Sequence, residues 1–194
     1  MAVIRLRLKT LLICGIKMYL KRMLDDGQKT KAIFDEIPRS VERYFEPFAR
    51  TGNLFYHARK NRVAEEYHLN NTDIEKYQLL LDIKNLPYSE VKKKYKITDG
   101  FTLKCLQKYL AMSNTIISFD TFESFIYDNK FGKEDVIVFC LHCLPDSFNK
   151  IKFINFCNKS KSKIILYSME HKIFSNLKLP KKEITKNRTL WKNF

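Results

Sequence analysis

Apolar residues recur at helical spacing from about Leu11 to Leu24, until Asp25-Asp26-Gly27-Gln28 breaks the pattern. The next apolar run, Tyr44-Phe45-Glu46-Pro47-Phe48, is short enough for a buried strand and is closed by the loop Ala49-Arg50-Thr51-Gly52-Asn53. Val63–Leu69 reads as a second strand that ends at Asn70-Asn71-Thr72-Asp73. From Ile74 to about Lys84 the period returns to that of a helix, with Tyr77, Leu80 and Leu81 on one face. Pro87 and Ser89 open a lysine-rich helix to about Tyr95, and Thr102–Met112 is helical as well.

The second half alternates more sharply. Asn114–Phe119 is strand-like, Phe122–Asp128 is a short helix, and Val136-Ile137-Val138-Phe139-Cys140-Leu141 is apolar throughout, as a parallel strand covered on both faces would be. Asp146 is placed to cap a helix that runs to Asn158, and Lys163–Tyr167 supplies another apolar strand. Strands alternating with helices predict an α/β fold with a doubly wound, mostly parallel sheet and right-handed crossovers. The 194 residues contain no internal repeat and no low-complexity linker, so residues 1–194 are expected to form a single domain.

Charge adds a second layer. The chain has 36 Lys and Arg against 21 Asp and Glu, a net +15, and the excess sits at its two ends. Arg5, Arg7, Lys9, Lys17, Lys21 and Arg22 precede the first acid, and residues 150–194 hold twelve basic residues against Glu170 and Glu183. Such a distribution forms a face for a polyanion, and nucleic acid is the expected partner, held at its phosphates by Arg5, Arg7, Lys9, Lys21, Arg22, Lys181, Lys182 and Arg188. Tyr19 and Trp191 interleave with these cations, a pattern suited to base stacking, although Trp191 serves equally to pack the carboxyl end onto the sheet. The acid-free start resembles a transit peptide, but Leu20, Met23 and Leu24 continue its apolar pattern as a folded helix would.

No apolar run approaches the roughly 20 residues that span a bilayer, so no membrane partner is expected. Five cysteines, an odd number without the spacing of a small secreted domain, are read as reduced thiols in an intracellular compartment. Cys140-Leu141-His142-Cys143 with Cys157 is not read as a zinc site, because on a strand Cys140 and His142 share a face that Cys143 does not.

Ligands of such sheets bind at the carboxyl ends of the strands, and those ends carry a resemblance. Glu46-Pro47-Phe48-Ala49-Arg50-Thr51-Gly52-Asn53-Leu54-Phe55 resembles the EPFxGxGxxF signature of the Dam-type (D12 class) DNA adenine-N6 methyltransferases. Cys14-Gly15-Ile16-Lys17 resembles part of that family's Trp-Ala-Gly-Gly-Lys cofactor segment. Asn71-Thr72-Asp73-Ile74 resembles its acidic second-strand tip, and Ile117–Phe122 its third cofactor-contacting strand end. The resemblance spans residues 10–170 and implies a Rossmann-like class I methyltransferase fold. It also implies S-adenosylmethionine as cofactor, contacted by Lys17, Phe48, Gly52, Asp73 and Asp120.

The departures from the family are as informative. Arg50 stands where the first glycine belongs, where a side chain could occupy the cofactor's place. Cys140, Leu141, His142 and Cys143 stand at the position of the catalytic Asp-Pro-Pro-Tyr. In the family an Asp side chain and a proline carbonyl accept both hydrogens of the adenine amino group while the aromatic ring stacks on the flipped base. Cysteine accepts such a bond poorly. Only Glu75–Ser113 fills the interval in which the family inserts its target-recognition domain.

The resemblance therefore implies a degenerate homologue without methyl-transfer activity that acts as a nucleic-acid-binding or assembly subunit, its cofactor retained or lost. The alternative is an active adenine-N6 methyltransferase on DNA or RNA with a non-standard site or a partner subunit. A scaffolding role would expect an exposed apolar patch at Leu141–Leu144 or Phe153–Phe156. Asn85-Leu86-Pro87-Tyr88, although identical to the catalytic tetrapeptide of rRNA adenine dimethyltransferases, follows a helical stretch and is read as a turn between helices.

Overall fold

The computed structural model describes residues 33–97, 100–141, 148–168, 174, 176–185 and 188–194. Along the chain they form β1 (Val41–Glu46), α1 (Asn53–Lys60), β2 (Ala64–Asn70), α2 (Ile74–Asn85), α3 (Tyr88–Tyr95) and α4 (Gly100–Leu110). These are followed by β3 (Thr115–Ser118), α5 (Phe122–Asp128), β4 (Val136–Leu141), α6 (Lys150–Lys159), β5 (Lys163–Ser168), β6 (Lys181–Thr185) and β7 (Arg188–Lys192). The sheet has the order β3-β2-β1-β4-β5-β7-β6. Strands β1 to β5 pair in parallel, and β7 runs antiparallel to both of its neighbours. Winding proceeds outward from β1 to β3, then restarts at β4 on the other side of β1. That reversal leaves a crevice at the carboxyl ends of β1 and β4.

The apolar run of β4 follows from burial on both faces. Val136 and Val138 join the core formed with α1, α2, α3 and α4, and Ile137, Phe139 and Leu141 join the core formed with α5 and α6. The second core is mostly aromatic: Phe139 meets Phe153 edge-on at 4.9 Å, and Phe153 lies 5.4 Å from Phe122. Leu141 and Phe153 are therefore core residues, 4% and 0% exposed, and form no exposed apolar patch; Leu144 lies outside the described residues. The large apolar side chains that do reach solvent nearby are Tyr127 and Ile151.

Several boundaries differ from the sequence pattern for identifiable reasons. β1 ends at Glu46 because Pro47 has no N–H for the ladder, so Phe48 lies past the strand. α1, an eight-residue helix with three basic residues in its last turn, is too short for its period to stand out. α2 buries Leu79, Leu80, Asp82 and Ile83, so of the expected stripe only Leu80 is fully covered. Asp82 is charged and yet 6% exposed because Tyr95 Oη donates to it at 2.6 Å, Gln78 Nε2 donates at 2.8 Å, and Lys94 pairs with it, which ties α2 to α3.

α6 starts at Lys150 with Asn149 as its cap, whose Oδ1 accepts from the Lys152 N–H at 3.0 Å; Asp146, the expected cap, lies outside the described residues. The β6–β7 hairpin escaped the sequence reading. In it Trp191 pairs with Leu166 and is 4% exposed, so it packs the carboxyl end onto the sheet. The interval between β2 and β3 holds α2, α3 and α4, and Pro87 caps α3 in a helix-to-helix turn. The expected helix at Leu11–Leu24 lies outside the described residues.

Candidate functional site

A cavity of about 630 Å³ opens where β1, β2 and β4 end. Its walls come from three connections. The β1–α1 turn contributes Phe48 and Arg50, the β2–α2 turn contributes Asn71 to Lys76, and the β4 end contributes Cys140 and Leu141.

The β1–α1 turn is bent by two left-handed residues, Arg50 at φ +54° and Gly52 at φ +77°. A Cβ on Gly52 would lie 3.3 Å from Leu80 Cδ2, so glycine there answers both to the backbone and to the helices packed beneath. Arg50 has no such excuse. Its glycine-like conformation is held by Asn71, whose Oδ1 accepts the Arg50 N–H at 2.6 Å and whose Nδ2 donates to the Arg50 carbonyl at 3.3 Å. The arginine forms part of the wall and leaves the cavity open.

Below this clamp sits Asn70, fully buried. Its Nδ2 donates to the carbonyls of Pro47 at 3.2 Å and Asp120 at 3.1 Å. Its Oδ1 accepts from Ser118 Oγ at 3.0 Å and from the Asp120 N–H at 2.9 Å. One amide thus fastens the ends of β1, β2 and β3. Sequence reasoning passed over Asn70 and Asn71; two amides directly after an apolar strand were the available signal, because such side chains satisfy turn backbone.

Asp73 reaches the cavity but is also the N-cap of α2, where it accepts from the N–H groups of Glu75 and Lys76 and pairs with the Lys76 ammonium. Burial pushes its carboxyl up, and Lys76 with the two backbone donors outweighs this, so it stays below the ordinary carboxylate range. Phe48 lies against the cavity and stacks on Phe122 at 5.9 Å. The structure therefore brings Phe48 and Asp73 together and keeps Gly52 under the turn. It leaves Asp120 out of the cavity wall, with its backbone held by Asn70, and Lys17 lies outside the described residues.

At the catalytic position Cys140 and Leu141 line the cavity, and His142 and Cys143 lie outside the described residues. Cys140 belongs to the layer of α1 to α4 and Cys157 to the layer of α5 and α6, so the sheet separates the two thiols. Among the described residues no group of three His, Cys, Asp or Glu could hold a metal ion, and no helix is long and apolar enough to cross a membrane.

Directly beneath the turn, Glu46 is 2% exposed. The Tyr44 hydroxyl donates to it at 3.1 Å, and the Phe55 N–H donates to it as well. Burial dominates over both bonds and raises its carboxyl to about 8.

The basic candidates are spread apart. Lys181 and Lys182 lie exposed on β6, the edge strand, and Lys182 donates to Glu36 at 2.8 Å, as Lys192 does at 2.9 Å. Arg188 opens β7, while Arg5, Arg7, Lys9, Lys21 and Arg22 lie outside the described residues.

No protein-family model matches the chain, and no curated protein matches it in sequence. Solved structures do match. A candidate methyltransferase from Pseudomonas syringae superposes with a TM-score of 0.54 at 14% identity, over 88% of this chain and 99% of that one. A candidate methyltransferase from Escherichia coli gives 0.53 at 13% identity, over 84% and 83%. M. capricolum TrmK, solved with S-adenosyl-homocysteine, gives 0.49 at 9% identity over 84% of this chain, which spans 66% of that protein's length. The sheet order and these superpositions show a Rossmann-like methyltransferase fold.

Proposed function

We propose that this chain binds an S-adenosyl ligand in the β1–β2–β4 cavity without performing adenine-N6 methyl transfer, and that it serves as a nucleic-acid-binding or assembly subunit. The observation that carries this reading is an open cavity at the fold's ligand crevice in which Cys140 and Leu141 occupy the place of the amide-type acceptor and proline. The residues present fit a nucleoside ligand. A cavity of 630 Å³ is within the usual size of small-molecule sites, an aromatic ring bounds it, and polar groups converge at the β2 tip. S-adenosylmethionine, when bound, would supply an activated methyl group; Phe48, Asn71 and Asp73 would hold it. For the acceptor, neither a thiol nor an aliphatic side chain takes the two amino hydrogens of adenine, so nothing at this wall raises that nitrogen's nucleophilicity. The exposed Lys181 and Lys182, with the basic residues at the amino end, support contact with phosphates.

The test combines tritiated methyl transfer to DNA and RNA with filter binding at rising salt. The expected result is no transfer, together with an affinity that falls log-linearly as salt releases fewer counterions. Transfer abolished by Asp73→Ala would instead establish an active methyltransferase, and an affinity indifferent to salt would remove nucleic acid as the partner.

A further inference from the structure

Arg50 is the residue of the cavity that the family resemblance leaves without a purpose. A non-glycine residue in the left-handed region is disfavoured by contact between its Cβ and the following carbonyl, and glycine stands two positions on in the same turn. The fold nevertheless keeps an arginine there and fixes its backbone with both hydrogen-bonding ends of the Asn71 amide. Strain that the surroundings hold in place clusters at ligand sites, and the direction of inference runs from the outlier to its use.

The other charges of the wall do not repeat what Arg50 supplies. Lys76 is paired with Asp73, which also caps α2, and Glu75 is acidic. The guanidinium is thus the cavity's one cation that is not matched by an ion pair to Asp73. A guanidinium offers donors in a fixed fork that fits a carboxylate or a phosphate, and it stays charged at every working pH.

Resting on the S-adenosyl reading above, we infer that Arg50 makes the cavity selective for adenosine ligands with an anionic tail, whether the carboxylate of an S-adenosyl amino acid or a phosphate. Phe48 and the β2 tip serve the nucleoside, and Arg50 serves the tail. The position that a glycine would leave to backbone amides has become a side-chain anion contact. Arg50 is here a ligand-binding residue that sets specificity, and no chemical step is assigned to it.

The experiment is calorimetric titration of adenosine, adenosine monophosphate and S-adenosylhomocysteine into the full chain and into Arg50→Gly, Arg50→Ala and Arg50→Lys. A charge-assisted hydrogen bond corresponds to roughly a 10- to 100-fold change in affinity. In the wild type at least one anionic ligand is expected to bind about tenfold or more tightly than adenosine. Arg50→Gly and Arg50→Ala bring it down to the level of adenosine, which itself is unchanged, and Arg50→Lys retains part of the difference. The tighter of the two anionic ligands identifies the tail as carboxylate or phosphate. Because glycine adopts φ +54° freely, Arg50→Gly is expected to keep or raise the thermal midpoint, which separates loss of binding from loss of folding. Unchanged or tighter binding of the anionic ligands by Arg50→Gly would overturn the inference and make Arg50 a mere filler, while leaving the S-adenosyl reading intact. Absence of heat from all three ligands with the wild type would overturn both.

Discussion

Raising the pH from 6.5 to 8 is expected to cost this chain about 2 kcal/mol of stability through a single carboxyl, that of Glu46. Glu46 sits at the end of β1, 2% exposed, and burial lifts its folded-state pKa to about 8 from an ordinary 4.5. The native state therefore keeps a proton that the unfolded chain has already released. The resulting stability is complete below pH 4.5 and is lost as pH rises through 8. Two histidines act in the opposite sense. Burial lowers His57 and His68 below 6.5, so their charging destabilises the fold in acid, and above pH 6.5 they no longer mask Glu46. Urea denaturation of wild type and Glu46→Gln across pH 5–9 measures the effect directly. The glutamine variant is expected to lose the decline between pH 6.5 and 8 and to be the more stable protein above pH 8. Parallel profiles for the two proteins would mean that Glu46 is charged throughout and that the turn above it tolerates a buried carboxylate.

Asn70→Ala is expected to be the costliest single change near the cavity, at about 3–4 kcal/mol. Its amide satisfies two carbonyls, one backbone N–H and one hydroxyl on the ends of β1 and β3, and removing it strands those groups without partners. Asn70→Asp fails differently, since a carboxylate cannot donate to the carbonyls of Pro47 and Asp120. Chemical denaturation gives the loss in each case. A cost below about 1 kcal/mol for Asn70→Ala would mean that water replaces the amide and that the three strand ends are not held through it.

The parts of this fold that the pattern of apolar residues revealed are those buried on two faces or periodic over a long stretch. β4, with both faces covered, was legible to the residue, as was α5 between Thr121 and Asn129. The hairpin β6–β7 was not, because Lys181-Lys182-Glu183 reads as a solvated run and its pairing depends on a non-local partner, β5. The stripe on α2 was misread for a related reason. Asp82 breaks the apolar pattern although it is among the buried residues, and only its partners on α3 make that possible.

At the site, the sequence pointed to the correct strand ends and to Phe48, Gly52 and Asp73. It gave no hint that Asp73 would be occupied as a helix cap or that Asn70 and Asn71 would organise the crevice. A motif match reports where a residue stands in the chain. What its polar atoms are already bonded to is decided by neighbours distant in sequence, here Pro47, Arg50 and Asp120.

The account rests on the crevice at the ends of β1, β2 and β4 being a working ligand site and not a remnant of the fold. Calorimetric titration of S-adenosylhomocysteine and S-adenosylmethionine into the purified chain, followed by thermal shift, tests this most directly. Binding in the micromolar range with a rise in the unfolding midpoint is the expected result. No heat and no shift at millimolar ligand would contradict it, leaving the fold as a scaffold whose cavity holds no S-adenosyl ligand.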